Sequence, residues 1–238
     1  MSNLARSYTT DGKFINITVS QPQAEKNLSR YTSQGKLKAQ EAEPITSLEH
    51  IKQIQDYYLN QPYPLSYRNY TLFTIGISLG LRISDIGRVK LRDFVNSDGS
   101  YKKRLVITEK KTGKTNYPEI SKVVRDTLDL YRKNVDLRLD DYLFFSRKGG
   151  RLDRSSLFRI LKSAQKELKL PYNIGTHTLR KTFAYWTIQN NRDNPIALMA
   201  LQKMLNHSDQ RVTFRYAGIL QEEVDSLYEG LSDVFSNP

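Results

Sequence analysis

Apolar residues recur at helical spacing over most of the chain beyond residue 45. The first such stretch follows Thr46 and Ser47, either of which can cap a helix, and it sets Ile51 and Ile54 on one face. The next stretch stops at Gly80, and glycine commonly ends helices because it adopts left-handed backbone angles. The first predicted helix begins at residue 46, and a short one runs through 86–89. The other predicted helices cover 66–79, 121–134, 155–168, 178–190, 196–206 and 221–231.

A different pattern occupies residues 104 to 120. Two extended segments, 105–108 and 115–120, flank a turn from Lys110 to Lys114 that contains Gly113. Pro118 has no amide hydrogen for a strand ladder, so the second segment is expected at a sheet edge. One hairpin among many helices predicts a mainly α fold with a small antiparallel β-sheet, in the α+β class.

The first 43 residues differ from the rest. They are polar and irregular in pattern, contain Asp11-Gly12 and Gln21-Pro22, and end in a mixed-charge run before Pro44. We interpret 1–43 as an N-terminal arm or linker and place one folded domain over 44–238. A chain of 238 residues is long enough for such a domain to bury a sizeable core.

The chain is strongly basic and lacks cysteine. Its 37 Lys and Arg against 25 Asp and Glu give a net charge of +12, which favours a polyanionic partner such as nucleic acid. Charge alone leaves open that self-repulsion merely keeps the protein soluble. The sequence has no thiolate metal ligands, no apolar run of the ~20 residues that span a membrane and no signal peptide, so a cytoplasmic protein is expected.

Five short motifs contain residues suited to phosphodiester chemistry. In chain order they are Gly80-Leu81-Arg82-Ile83-Ser84-Asp85-Ile86, Lys111-Thr112-Gly113, His177-Thr178-Leu179-Arg180, Leu205-Asn206-His207-Ser208 and Tyr216. Their order and spacing resemble the tyrosine recombinase family, which includes the phage integrases, over about residues 44–231. The resemblance implies a DNA strand transferase with the catalytic-domain fold of that family.

Two arginines suit the charge that develops when a phosphodiester is transferred to a protein nucleophile. Negative charge builds on the non-bridging oxygens, to which fixed guanidinium groups can donate paired hydrogen bonds. Arg82 and Arg180 are the candidates, against the alternative of ordinary surface or ion-pairing arginines. Asp85 lies three residues beyond Arg82 on the same helical face, and the resemblance makes it the residue that holds this guanidinium.

The resemblance also assigns roles to a lysine and two histidines. Lys111 is the expected general acid for the departing 5′ oxygen, although Lys110 and Lys114 of the same turn are close rivals. His177 is expected to transfer a proton, for which a near-neutral pKa is suited. His207 is expected to donate a hydrogen bond to the same phosphate. Taken alone, either histidine would more often be an ordinary buried or surface residue.

Tyr216 is the expected nucleophile. A phenol with a pKa of roughly 10 attacks poorly unless neighbouring cations and a base help it lose its proton. The chain has 15 tyrosines, most of which must be packing or surface residues, and Tyr228 is the nearest rival. Three further lysines, Lys110, Lys114 and Lys181, are the candidate DNA contacts.

The implied reaction is a pair of exchanges at phosphorus. Tyr216 forms a 3′-phosphotyrosine and frees a 5′ hydroxyl, and the hydroxyl of another strand then reverses the step. No cofactor is expected because the covalent link stores the bond energy, and no metal is expected because Arg and Lys supply positive charge. The predicted function is site-specific recombination or integration of double-stranded DNA, in a phage, plasmid or other mobile genetic element.

The predicted last helix, 221–231, has an apolar stripe that includes Val224, Leu227 and Leu231. It either packs on its own domain or, as the resemblance implies, inserts into a neighbouring protomer and joins a tetramer on DNA. Residues 1–43 are too few for the helical core-binding domain that family members usually have. Either the arm and one domain hold the DNA, or an accessory protein completes the grip.

The sequence departs from the family at two further positions and keeps two alternative functions open. Asn206 replaces a common glycine, and Lys181 replaces a common histidine. The first alternative is a DNA-binding regulator on the same fold, for which Tyr216 has no physical need. The second is a type IB topoisomerase, which relaxes supercoils as a monomer.

Overall fold

The computed structural model describes residues 4–8, 14–18, 41–147, 149–217, 229 and 235–236. The chain divides into two compact units, residues 1–40 and 41–238. In the first unit, strands β1 (Leu4–Tyr8) and β2 (Phe14–Thr18) form an antiparallel hairpin. A regular element therefore lies within the segment that the polar sequence predicts to be irregular.

The second unit is mainly helical, as predicted. Its helices are α1 (Leu48–Leu59), α2 (Leu65–Leu79), α3 (Ile83–Ile86), α4 (Lys122–Asn134), α5 (Arg154–Glu167), α6 (Thr178–Gln189), α7 (Ala197–Met204) and α8 (Gln210–Ala217), with a 3-10 turn at Leu91–Asp93. Strands β3 (Ile107–Thr108) and β4 (Thr115–Asn116) form the predicted hairpin. The α+β class is confirmed.

Two helices differ from the prediction. The short helix predicted through 86–89 lies earlier, at Ile83–Ile86, and α8 is not predicted at all. The predicted helix over 221–231 lies outside the described residues. Within the described part of the chain, no helix is both long and apolar enough to cross a membrane.

Helix α2 lies at the centre of the second unit. Its residues Leu72, Phe73 and Ile75 are buried, and α1, α4 and α6 pack against it. Gly76 permits the close approach of α6, because a Cβ at that position would lie 2.4 Å from Cδ1 of Leu179. Helices α7 and α8 pack on α6 in turn. Helix α6 therefore connects the main core to the C-terminal helices.

Gly80 is expected to be intolerant of any side chain. Its φ is 61°, and an added Cβ would lie 2.4 Å from Cδ1 of Phe183. We expect Gly80→Ala to lower the free energy of unfolding by roughly 2–4 kcal/mol, since left-handed backbone and overpacking each cost a few kcal/mol at most. Urea denaturation measures this loss.

Gly113→Ala is the matched control. Gly113 has a similar φ of 67°, but no atom lies within 4 Å of an added Cβ. The control therefore isolates the backbone cost, about 1 kcal/mol. Equal losses in the two variants would contradict the close packing of Phe183 on Gly80.

Candidate active site

Five of the six predicted catalytic residues converge beside the start of α6. Tyr216 Oη lies 2.7 Å from His177 Nδ1, and the Tyr216 and His207 ring centroids are 5.0 Å apart. Arg82 and Arg180 are close enough to both histidines to lower their pKa values. The short α8 brings Tyr216 into this group, because it packs on both α6 and α7.

Arg180 is almost completely buried, with 1% of its surface exposed. Its Nη1 donates to the Gly80 carbonyl at 2.9 Å, and its Nη2 donates to the Leu205 carbonyl. Burial first, and then the charge of Arg82, lower the pKa of Arg180 to about 10, so it stays protonated at neutral pH. The guanidinium is therefore a fixed cation held between the end of α2 and the turn that precedes His207.

Arg82 forms an ion pair with a residue that sequence reasoning missed. It precedes α3, and its Nη1 contacts Oε2 of Glu109, whose side chain is 1% exposed. The predicted partner, Asp85, instead accepts hydrogen bonds through Oδ1 from Arg88 Nη2 at 2.8 Å and from the Lys110 amide at 3.1 Å. Glu109 therefore occupies the place expected of Asp85, which binds Arg88 and the turn instead, and the supporting role of Asp85 stays a prediction.

The lysine turn lies between β3 and β4. It is closed by hydrogen bonds from the Glu109 amide to the Lys114 carbonyl and from the Gly113 amide to the Glu109 carbonyl, both 2.9 Å. Lys110, Lys111 and Lys114 are all exposed there. Their placement does not separate Lys111 from its two rivals, so position before Thr112-Gly113 stays the reason to favour it.

Lys181, a predicted DNA contact, lies near both Glu41 and Tyr216. Its side chain is 8% exposed and its Nζ lies 2.8 Å from Oε1 of Glu41. The same ammonium lies 5.6 Å from the centroid of the Tyr216 ring. Lys181 is therefore buried and paired with Glu41, and its role as a DNA contact stays a prediction. Its ammonium also adds positive charge beside the phenol.

His177 Nδ1 lies within hydrogen-bond distance of the Tyr216 hydroxyl. It is the N-cap residue of α6, and it is exposed although its ring contacts Tyr216. Partial desolvation first, and then the charge of Arg180, hold the pKa of His177 below its usual value. The imidazole is therefore neutral at neutral pH, and a neutral ring has one nitrogen able to accept a proton.

His207 lies in a turn that Asn206 makes possible. Asn206 has a φ of 51°, and asparagine tolerates this left-handed region better than other non-glycine residues, which accounts for the departure from glycine. His207 Nδ1 is 3.1 Å from Thr213 Oγ1. Desolvation and the charge of Arg180 lower the pKa of His207 to about 4, so this ring is also neutral at neutral pH.

The His207 turn is also tied to the hairpin. Asn116 Nδ2 donates to the Met204 carbonyl at 2.9 Å, and Asn206 Nδ2 donates to the Thr115 carbonyl at 3.4 Å. The rival nucleophile Tyr228 lies outside the described residues. In the described ranges, no group of three or more His, Asp or Glu residues is arranged to hold a metal ion.

Comparison with known proteins places the chain in a family. The model of the Phage integrase family matches residues 17–223. The chain is 37% identical over 188 residues to "Probable integrase/recombinase YoeC" of Bacillus subtilis strain 168. The aligned region covers 79% of this chain and 95% of that protein. It is 27% identical over 191 residues to tyrosine recombinase XerD of Oceanobacillus iheyensis, which covers 78% of this chain and 61% of that one.

A solved structure shows the same fold. The XerH site-specific recombinase, in a post-cleavage complex with its palindromic difH substrate, superimposes with a TM-score of 0.60 at 20% identity, over 82% of this chain and 55% of that one. The chain thus spans less than two thirds of the XerD and XerH chains that it matches. Because the family model covers most of the sequence and YoeC is similar over nearly its whole length, the chain belongs to the phage integrase family of tyrosine recombinases.

Proposed function

We propose that the protein is a site-specific DNA recombinase or integrase that cleaves and rejoins strands through a 3′-phosphotyrosyl link. The observation on which the proposal depends is the 2.7 Å contact between Tyr216 Oη and His177 Nδ1, beside the two arginines of the site. A nucleophile, a base and fixed cations in one place meet the needs of phosphoryl transfer to a phenol. The names of YoeC and XerD support the same function.

The cleavage step forms the bond between Tyr216 Oη and phosphorus and breaks the bond from phosphorus to the 5′ oxygen. The phenol proton passes to His177 Nδ1, and Lys111 gives a proton to the departing 5′ oxygen. Arg82 and Arg180 stabilise charge on the non-bridging oxygens. Arg180 has five N–H donors, more than its two carbonyl bonds require.

His207 is the third group assigned to the phosphate. If Thr213 Oγ1 donates its hydrogen to His207 Nδ1, the neutral ring carries its own hydrogen on Nε2 and can donate it. The low pKa of His207 supports this role, because the ring then acts as a hydrogen-bond donor without releasing or gaining a proton at neutral pH.

Double-stranded DNA is the proposed substrate, which suits a net charge of +12, and the cytoplasm is the proposed location. Lys110 and Lys114, exposed beside Lys111, are the proposed DNA contacts. Exchange between two duplexes uses four tyrosines, so a tetramer on DNA is proposed, joined through residues 221–231. We also propose that an accessory protein helps to hold the DNA and that the protein acts in a mobile genetic element.

Trapping of a covalent complex tests the proposal. Selection from genomic fragments supplies the DNA site, and a nicked duplex of that site lets the cleaved 5′ end diffuse away so that the adduct accumulates. An adduct and exchange between two labelled duplexes are expected. A protein that binds the selected site without forming an adduct would be a regulator. Relaxation of supercoiled plasmid without exchange would indicate a topoisomerase.

The rate of adduct formation should depend on pH in one direction. Since His177 must be neutral and its pKa lies below the usual value, the rate should be level from about pH 7 to 8 and fall only below pH 6.5, the ordinary histidine value. Single-turnover assays across this range measure it, and His177→Gln should remove the acid limb. A rate that rises steeply between pH 7 and 8 would show that another group is the base.

A further inference from the structure

Glu109 joins three parts of the site. Its buried Oε2 forms the ion pair with Arg82 and accepts a hydrogen bond from Thr112 Oγ1 at 2.5 Å. Its backbone amide and carbonyl close the lysine turn through Lys114 and Gly113. One side chain therefore contacts both the arginine beside α3 and the residue that follows Lys111.

A second connection runs parallel to the first. Asp85 Oδ1 accepts from the Lys110 amide, and Arg88 Nη2 donates to both Asp85 Oδ1 and the Thr108 carbonyl, each at 2.8 Å. Helix α3 is thereby bound to the turn and to the strand before it. The turn that contains Lys111 is therefore hydrogen-bonded to α3 through Asp85 and linked to Arg82 through Glu109.

The burial of Glu109 costs stability, and what it provides in return is a fixed position for the groups that it contacts. A buried carboxylate destabilises the fold unless it is paired and hydrogen-bonded. Burial raises the pKa of Glu109, but the contacts of Thr112 and Arg82 outweigh it, so the pKa lies below the usual value and the group is ionised at neutral pH. A negative charge at this place also weakens the attraction of a DNA phosphate, so it does not serve binding.

We propose that Glu109 is a positioning residue that sets Arg82 and the Lys111 turn in one arrangement around the scissile phosphate. The inference rests on the proposed function, which assigns Arg82 to the non-bridging oxygens and Lys111 to the leaving oxygen. Glu109 touches neither DNA nor the reacting atoms in this role. The hydrogen bond from Thr112 to Glu109 fixes the turn that contains Lys111, and the ion pair with Glu109 fixes Arg82.

A substrate with sulfur in place of the 5′ oxygen tests the two connections separately. A thiolate leaves without protonation because a thiol has a pKa near 8.5, so this substrate needs no general acid. The reaction still balances, since the bond from Tyr216 to phosphorus forms as the phosphorus–sulfur bond breaks. Any defect that acts through Lys111 should disappear on this substrate, and any defect that acts through Arg82 should persist.

Thr112→Val removes the side-chain hydrogen bond from the turn to Glu109 and leaves the ion pair with Arg82, although it also removes the acceptor of the Lys114 amide, 3.3 Å away. We expect adduct formation on ordinary DNA to slow roughly tenfold, a part of what general acid catalysis supplies, and to recover on the sulfur substrate. Glu109→Gln weakens both connections, so we expect about a 100-fold loss with only partial recovery. DNA affinity should stay within roughly twofold of wild type in both variants, since neither residue contacts the phosphate in this proposal.

Glu167→Gln, at an exposed position at the end of α5, is the matched control and should behave as wild type on both substrates. Thr112→Val without recovery on the sulfur substrate, or with weakened DNA binding, would overturn the inference. If Glu109→Gln fails to fold, the exposed Thr112 variant still decides the result. Absence of any wild-type adduct would instead refute the proposed function, so the two failures are distinguishable.

Discussion

Tyr216→Phe is expected to abolish covalent attachment to DNA, with a loss of at least about 10⁴-fold, the scale seen when an enzyme loses its nucleophile. The phenyl ring keeps the contacts of Tyr216 with the small cluster of Ala184, Leu201 and Leu205. Only the hydroxyl near His177 Nδ1 is removed. Folding and DNA binding should therefore stay close to wild type while chemistry stops.

Gel analysis of the denatured complex on a nicked substrate measures the adduct, and a binding assay on the same duplex supplies the comparison. Tyr117→Phe removes a hydroxyl from an exposed tyrosine, 55% of whose surface is accessible, and should retain full activity. Adduct formation that persists in Tyr216→Phe would assign the nucleophile to another tyrosine, with Tyr228 the first to test.

Arg180→Lys should reduce adduct formation by about 10³-fold, comparable to removing a strong donor from an oxyanion site. Lysine keeps the positive charge, but a single ammonium cannot replace a planar guanidinium that donates to two carbonyls and, in the proposed function, to a phosphate. One buried carbonyl, of Gly80 or Leu205, then loses its donor. The free energy of unfolding should fall by about 1–3 kcal/mol for that reason.

Single-turnover rates at saturating protein, together with urea denaturation, separate the two effects of Arg180→Lys. Arg192→Lys changes an exposed arginine that bonds only its neighbour Gln189 among the described residues, and neither quantity should change. If Arg180→Lys lowered stability while its folded fraction kept the wild-type rate, Arg180 would be a structural residue without a role at the phosphate.

Local signals account for what was predicted correctly from the sequence. Ser47 accepts from the His50 amide and caps α1 as expected, and Gly80 ends α2 in the left-handed region. These features depend on residues a few positions apart, so their patterns are visible in the chain. The proximity of Arg82, His177 and Tyr216 was expected only through the family resemblance, because spacing alone does not bring distant segments together.

Partners that are distant in sequence account for what was missed. Glu109 follows β3 without a motif, and its pairing with Arg82 depends on how the hairpin docks on α3. Lys181 pairs with Glu41, 140 residues away, and no local pattern in the sequence indicates that contact. Helix α8 is eight residues long, too short for apolar periodicity to mark it clearly.

The two hydrogen bonds that Arg180 donates to backbone carbonyls have an evolutionary consequence. Because Arg180 joins the end of α2 to the turn before His207, selection for a folded protein preserves it even in a descendant that no longer acts on DNA. Tyr216 packs against the cluster of Ala184, Leu201 and Leu205 through its ring, which phenylalanine would keep. In related proteins that bind DNA without cleaving it, we therefore expect the tyrosine to be replaced before the arginine.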